Sequence, residues 1–71
     1  MRLKELRKAN NKTQKEMAEL LNIQQNTYSQ YENEIRQIPI EYLIALAKLY
    51  NVSVDYILEL TNVDMPYPIN W

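Results

Sequence analysis

The stretch Thr13-Gln14-Lys15-Glu16-Met17-Ala18-Glu19-Leu20-Leu21-Asn22-Ile23-Gln24-Gln25-Asn26-Thr27-Tyr28-Ser29-Gln30-Tyr31-Glu32-Asn33 decides the fold. Thr13 with Glu16 three residues on is a capping box, in which each side chain accepts from a first-turn N–H that a helix leaves unpaired. It predicts a helix through about Leu21, with Met17, Ala18, Leu20 and Leu21 giving an apolar side. Asn22 falls where the chain must turn, and Asn is the best residue after glycine for a left-handed backbone. A three-residue turn, Leu21-Asn22-Ile23, leads to a second helix from about Gln24 to Asn33. Ile23 is expected between the two helices, which Ala18 is small enough to let cross closely. A capped helix, a tight turn and a second helix make a helix-turn-helix pattern.

Outward from this stretch the apolar spacing stays helical. Leu3 and Leu6 share one face of a first helix that gives out at Asn10-Asn11. Pro39 suits the first turn of a fourth helix, Ile40 to Tyr50, with Leu43, Leu46, Ala47 and Tyr50 at core spacing. Asn51 ends it. Ser53 caps a fifth helix, Asp55 complements its dipole, and Val54, Ile57 and Leu58 should face inward. Pro66 and Pro68 preclude further helix. The chain has no glycine at all, so Asn and Pro must make the turns. The class is all-α, a compact five-helix bundle.

Composition narrows the chemistry. The 71 residues include no Cys and no His, and the net charge is -1. Disulfides, thiolate nucleophiles, the usual zinc sites and histidine acid–base catalysis are therefore excluded. Without glycine there is no glycine-rich phosphate loop. The carboxylates are scattered over solvent-facing positions, so neither a metal site nor an enzyme is expected, and no cofactor or small-molecule ligand is inferred. No apolar run approaches a membrane span or a signal segment, which leads us to expect a cytoplasmic protein with no membrane partner. Charge is unevenly placed. Residues 1–15 hold six bases (Arg2, Lys4, Arg7, Lys8, Lys12, Lys15) and one acid, whereas residues 37–71 hold only Lys48 against four acids.

The second helix of the pattern is unusual on its surface. No charged residue occurs from Leu20 through Tyr31, and six of the seven positions from Gln24 to Gln30 are amides or hydroxyls. At about 100° per residue, Gln25, Asn26, Ser29, Gln30 and Asn33 share an arc of about 140°, opposite Tyr28 and Tyr31. Such groups suit base edges in a major groove, where Gln or Asn pairs bidentately with adenine. Lys8 and Lys12 before the pattern and Arg36 after it would meet phosphates on either side.

These residues resemble a known family. Thr13-Gln14-Lys15-Glu16-Met17-Ala18 with Asn22 through Asn33, closed by Asn51-Val52-Ser53-Val54-Asp55-Tyr56-Ile57-Leu58, look like the Cro/C1-type (XRE) helix-turn-helix regulators of phages and bacteria. The resemblance covers about residues 2–60. It implies a lambda repressor-like DNA-binding domain over residues 1–60, with residues 61–71 a Pro/aromatic tail. It further implies a dimeric, sequence-specific repressor on double-stranded operator DNA of inverted-repeat form. By position Gln25 and Asn26 would read bases, with Thr27 and Gln30 reaching bases or neighbouring phosphates. Lys12, Gln14, Ser29, Asn33 and Arg36 would hold phosphates. Arg7 and Glu32 match positions that tend to pair near the DNA.

Two departures matter. Asn22 stands for the family's usual turn glycine. Glu34 and Ile35 stand where Gly and Lys commonly follow Tyr-Glu-Asn, so either Glu34 goes left-handed at roughly 1 kcal/mol or more, or Asn33 takes the strain instead. With that cation missing, we expect weaker binding than a basic relative shows. The tail either covers the monomer's own core or extends a dimer interface with Ile57, Leu60, Tyr67 and Trp71. A helical module that binds a protein partner, such as an antitoxin or anti-regulator, is the alternative function. An interaction helix of that kind should carry apolar anchors on its outer face, and this one carries amides.

Overall fold

The computed structural model describes residues 1–66, so Tyr67 and Trp71 lie outside the described residues. Five helices follow one another: α1 (Leu3–Ala9), α2 (Gln14–Leu21), α3 (Gln25–Glu32), α4 (Ile40–Tyr50) and α5 (Val54–Ile57). No strand occurs among the described residues, and the class is all-α as the periodicity implies. Main-chain packing divides the chain into two units. One is residues 3–38, carrying α1–α3, and the other is residues 1–2 with the chain from Pro39 onward, carrying α4 and α5.

In the first unit α2 packs on α3. The capping box forms as expected: the Thr13 hydroxyl accepts from Glu16 N–H (3.1 Å), and the Thr13 N–H donates to Glu16 Oε1 (2.9 Å). Those bonds lower the Glu16 carboxyl below its usual pKa. Leu3, Leu6, Met17, Ala18, Tyr28, Tyr31 and Ile38 are buried. Leu20, expected on the apolar side of α2, is exposed instead. The buried stripe of α2 is narrow and runs through Met17 and Ala18, leaving no partner surface for Leu20. Leu21 closes α2, so the turn is Asn22-Ile23-Gln24, one residue later than the spacing suggests.

In the second unit α4 packs on α5. Leu43, Leu46, Ala47, Val52 and Ile57 are buried, each large aliphatic contributing about 1.5–3 kcal/mol on leaving water. Pro39 sits just before α4 as its cap. The Ser53 hydroxyl caps α5 by accepting from Tyr56 N–H (2.9 Å). Arg2 reaches into the same unit: its Nε donates to the Tyr56 carbonyl (2.9 Å) and its Nη2 to Asn62 Oδ1 (2.8 Å), with the guanidinium 4.4 Å from the Tyr56 ring centroid.

All five helices end alike. After each, one residue is left-handed: Asn11 (φ 57°), Asn22 (57°), Glu34 (57°), Asn51 (56°) and Glu59 (64°). Its N–H donates three residues back and the next N–H five residues back, as in Asn22 to Glu19 (3.1 Å) with Ile23 to Ala18 (2.9 Å). Glu34 to Tyr31 (3.1 Å) with Ile35 to Gln30 (2.9 Å) repeats the motif. This pairing satisfies carbonyls that a helix terminus otherwise leaves open. Glu34 therefore takes the left-handed position, and Asn33 keeps φ -89°.

Candidate nucleic-acid interface

The outward arc of α3 joins the start of α2 to form an open hollow lined by Gln14, Gln25, Asn26, Ser29 and Gln30. Every lining side chain is an uncharged amide or hydroxyl. The opposite side of α3 is anchored by Tyr28 and Tyr31, both buried, so the polar arc is held outward.

Gln14 joins the hollow to a buried polar network. Arg7 grips Glu32 with two bonds, Nε to Oε2 (2.7 Å) and Nη2 to Oε1 (3.1 Å). Arg7 Nη1 also donates to the Lys12 carbonyl (2.9 Å). The Arg7 side chain is 11% exposed and that of Glu32 0%, so this is no solvated surface pair. Gln14 Nε2 donates to Glu32 Oε1 (3.1 Å), which ties the start of α2 to the end of α3. Burial alone would push the Glu32 carboxyl up. Hydrogen bonds from Arg7 and Gln14, with the Arg7 charge, outweigh burial and hold it below the usual carboxylate range.

Not every expected site residue sits at the hollow. Thr27 is half-buried and Lys12 lines a separate depression with Glu16, Glu19 and Leu20. Asn33 and Arg36 are exposed beyond the end of α3, Asn33 Nδ2 reaching Ser29 Oγ at 3.4 Å. Of the expected interface residues, Ile57 is fully buried within the chain and presents no surface to a second copy. The inward spacing of α5 places it there, whereas Leu60 is 73% exposed. The tie from Gln14 to Glu32 is the feature that sequence reasoning missed. Gln14 and Glu32 stand 18 positions apart, and only the packing of α2 on α3 reveals that they meet.

Among the described residues no cluster of acidic side chains could hold a metal ion, and no helix is long and apolar enough to cross a membrane. The chain matches the family model described as helix-turn-helix over residues 3–57. It is 48% identical over 61 residues to the uncharacterized HTH-type transcriptional regulator YobD of Bacillus subtilis (strain 168), covering 86% of this chain and 54% of that protein. It is 51% identical over 57 residues to the HTH-type transcriptional regulator ImmR of the same organism, covering 80% of this chain and 45% of that protein. The chain thus spans about half the length of these relatives. No solved structure matches it. A family match across most of the chain, on the helices that build the polar hollow, makes this chain a member of the Cro/C1-type (XRE) helix-turn-helix family of DNA-binding transcriptional regulators.

Proposed function

We propose that residues 1–60 form the DNA-binding domain of a cytoplasmic transcriptional repressor, which binds an inverted-repeat operator as a homodimer and has no catalytic role. One observation carries the reading: the outer arc of α3 and the start of α2 present a continuous set of uncharged hydrogen-bonding groups. A surface helix kept soluble for its own sake would carry Lys and Glu instead. Under this reading α3 enters the major groove, where Gln25, Asn26 and Gln30 meet base edges and Thr27 lies at the margin. Lys12, Gln14, Ser29, Asn33 and Arg36 meet phosphates and set the register. The Arg7–Glu32 pair holds Gln14 and α3 in fixed relation, so that phosphate and base contacts keep one spacing. Exposed Leu60 is offered to a second copy, and Tyr67 and Trp71 follow it in the tail sequence.

Selection from random duplex DNA tests this, read by sequencing at about 50 and 200 mM salt. The expected result is an enriched inverted repeat with half-sites about one helical turn apart, roughly 34–36 Å, lost when Gln25 and Asn26 both become Ala. No enrichment by folded protein would transfer the role to a protein-binding module such as an antitoxin or anti-regulator. That second reading draws on Ile35, 74% exposed directly after the left-handed Glu34.

A further inference from the structure

We infer that the base pairs read by α3 are A·T pairs, so the operator half-site is adenine-bearing under this helix; this rests on the reading of α3 as the groove helix. Side-chain chemistry in the major groove is partitioned by base. Guanine, with two acceptors, is matched by the donor fork of Arg or by Lys. Cytosine N4–H is matched by a carboxylate. Adenine offers a donor at N6 and an acceptor at N7, which a primary amide answers with its carbonyl and its N–H.

Of these the hollow supplies only the last, beside one hydroxyl, Ser29, that can serve any base. Gln25, Asn26 and Gln30 provide three amides on α3, while the Gln14 amide from α2 is bound to Glu32 and belongs to the phosphate contacts. The only formally charged residue on α3 is Glu32, and its side chain is wholly enclosed and bound to Arg7 and Gln14. It cannot accept from a cytosine. Arg7 is committed to Glu32 and to the Lys12 carbonyl, which removes its guanidinium from guanine reading. Of the other bases in residues 3–38, Lys4 and Lys8 on α1, Lys15 on α2 and Arg36 after α3 do not line the hollow. Glu16 is engaged in the capping box, and Glu19 belongs to the separate depression with Lys12. The structure therefore encloses or displaces each group that would read a G·C pair, while exposing those that read adenine.

Purine analogues in the selected operator test this with the 71-residue chain. At positions where Gln25→Ala, Asn26→Ala or Gln30→Ala relaxes base preference, the preferred pair should be A·T. Replacing those adenines by 7-deazaadenine, which lacks the N7 acceptor, should weaken binding roughly 5- to 100-fold. The same change at guanines of the site should leave affinity within about two-fold. Gln25→Arg should move the preference at its position from A·T to G·C. Enrichment of an inverted repeat whose Gln25- and Asn26-dependent positions are G·C would overturn the inference while leaving the DNA-binding reading intact. No enriched sequence at all would overturn both.

Discussion

The unit of residues 3–38 encloses a guanidinium, a carboxylate and two tyrosines, whereas residues 39–66 bury aliphatic side chains and one capping serine. The outer surfaces reverse this. Residues 39–66 expose Ile40, Ile44, Leu49, Leu60, Val63 and Met65, whereas residues 3–38 expose only Leu20 and Ile35 among large apolar side chains. Burying an ion pair is a poor route to raw stability, since desolvation consumes most of the attraction. It does fix geometry, because a bidentate Arg–carboxylate pair tolerates little rotation. The unit carrying the hydrogen-bonding hollow adds a buried, directional ion pair to its apolar core. The core of residues 39–66 rests instead on non-directional burial, and the directional bonds from Arg2 are made at part-buried and exposed positions.

The largest expected effect separates the two modes of construction. Glu32→Ala strands the Arg7 guanidinium and should lower unfolding free energy by about 3–5 kcal/mol in chemical denaturation at pH 7. A loss under about 1 kcal/mol would equate the pair with an ordinary surface bridge. Acid titration follows the same logic. The folded pKa of Glu32 lies below its usual value of 4.5, so its contribution is present above that value and disappears as pH falls through the lowered folded value. Glu32→Gln should flatten that part of the stability curve.

Leu46→Ala, in the aliphatic unit, should cost about 2–5 kcal/mol with the acid limb unchanged. A changed acid limb would show that the two units do not divide the labour in this way. Gln25→Ala probes the outer arc: melting should stay within about 0.5 kcal/mol of the parent while specific affinity falls by about 1–3 kcal/mol. Equal losses on specific and random DNA would refute base reading. Glu34→Gly relieves a left-handed glutamate and should stabilise by about 1 kcal/mol, raising the melting temperature by about 4–8 °C. Smallest in energy is Lys12→Ala, which should reduce the slope of log affinity against log salt by about 0.9. An unchanged slope would remove Lys12 from the phosphate contacts.

Much of the fold is legible because polar residues punctuate the apolar spacing. Thr13 and Ser53 announce helix starts through side-chain bonds that are local in sequence, and Asn22 and Asn51 announce ends. Glu34 is different. Its side chain has no preference for left-handed backbone, so the paired bonds of Glu34 and Ile35 to the last turn of α3 impose that conformation. Leu20 misled because an apolar residue at helical spacing is buried only where a neighbour covers it. On the site, spacing alone placed Gln25, Asn26, Ser29 and Gln30 on one arc. It could not show that Gln14 completes the hollow, or that its amide is shared with Glu32, because both depend on how α2 meets α3.

The left-handed helix ends have a consequence in the genetic code. Every glutamate codon lies a single base change from a glycine codon, so glycine is one mutational step away at both Glu34 and Glu59. Glycine adopts that backbone without steric penalty. The chain thus keeps an undrawn reserve of stability within immediate reach. Variants of the α3 arc that alter which bases are read, and weaken folding in doing so, can be restored by a step at a helix end that touches no nucleotide.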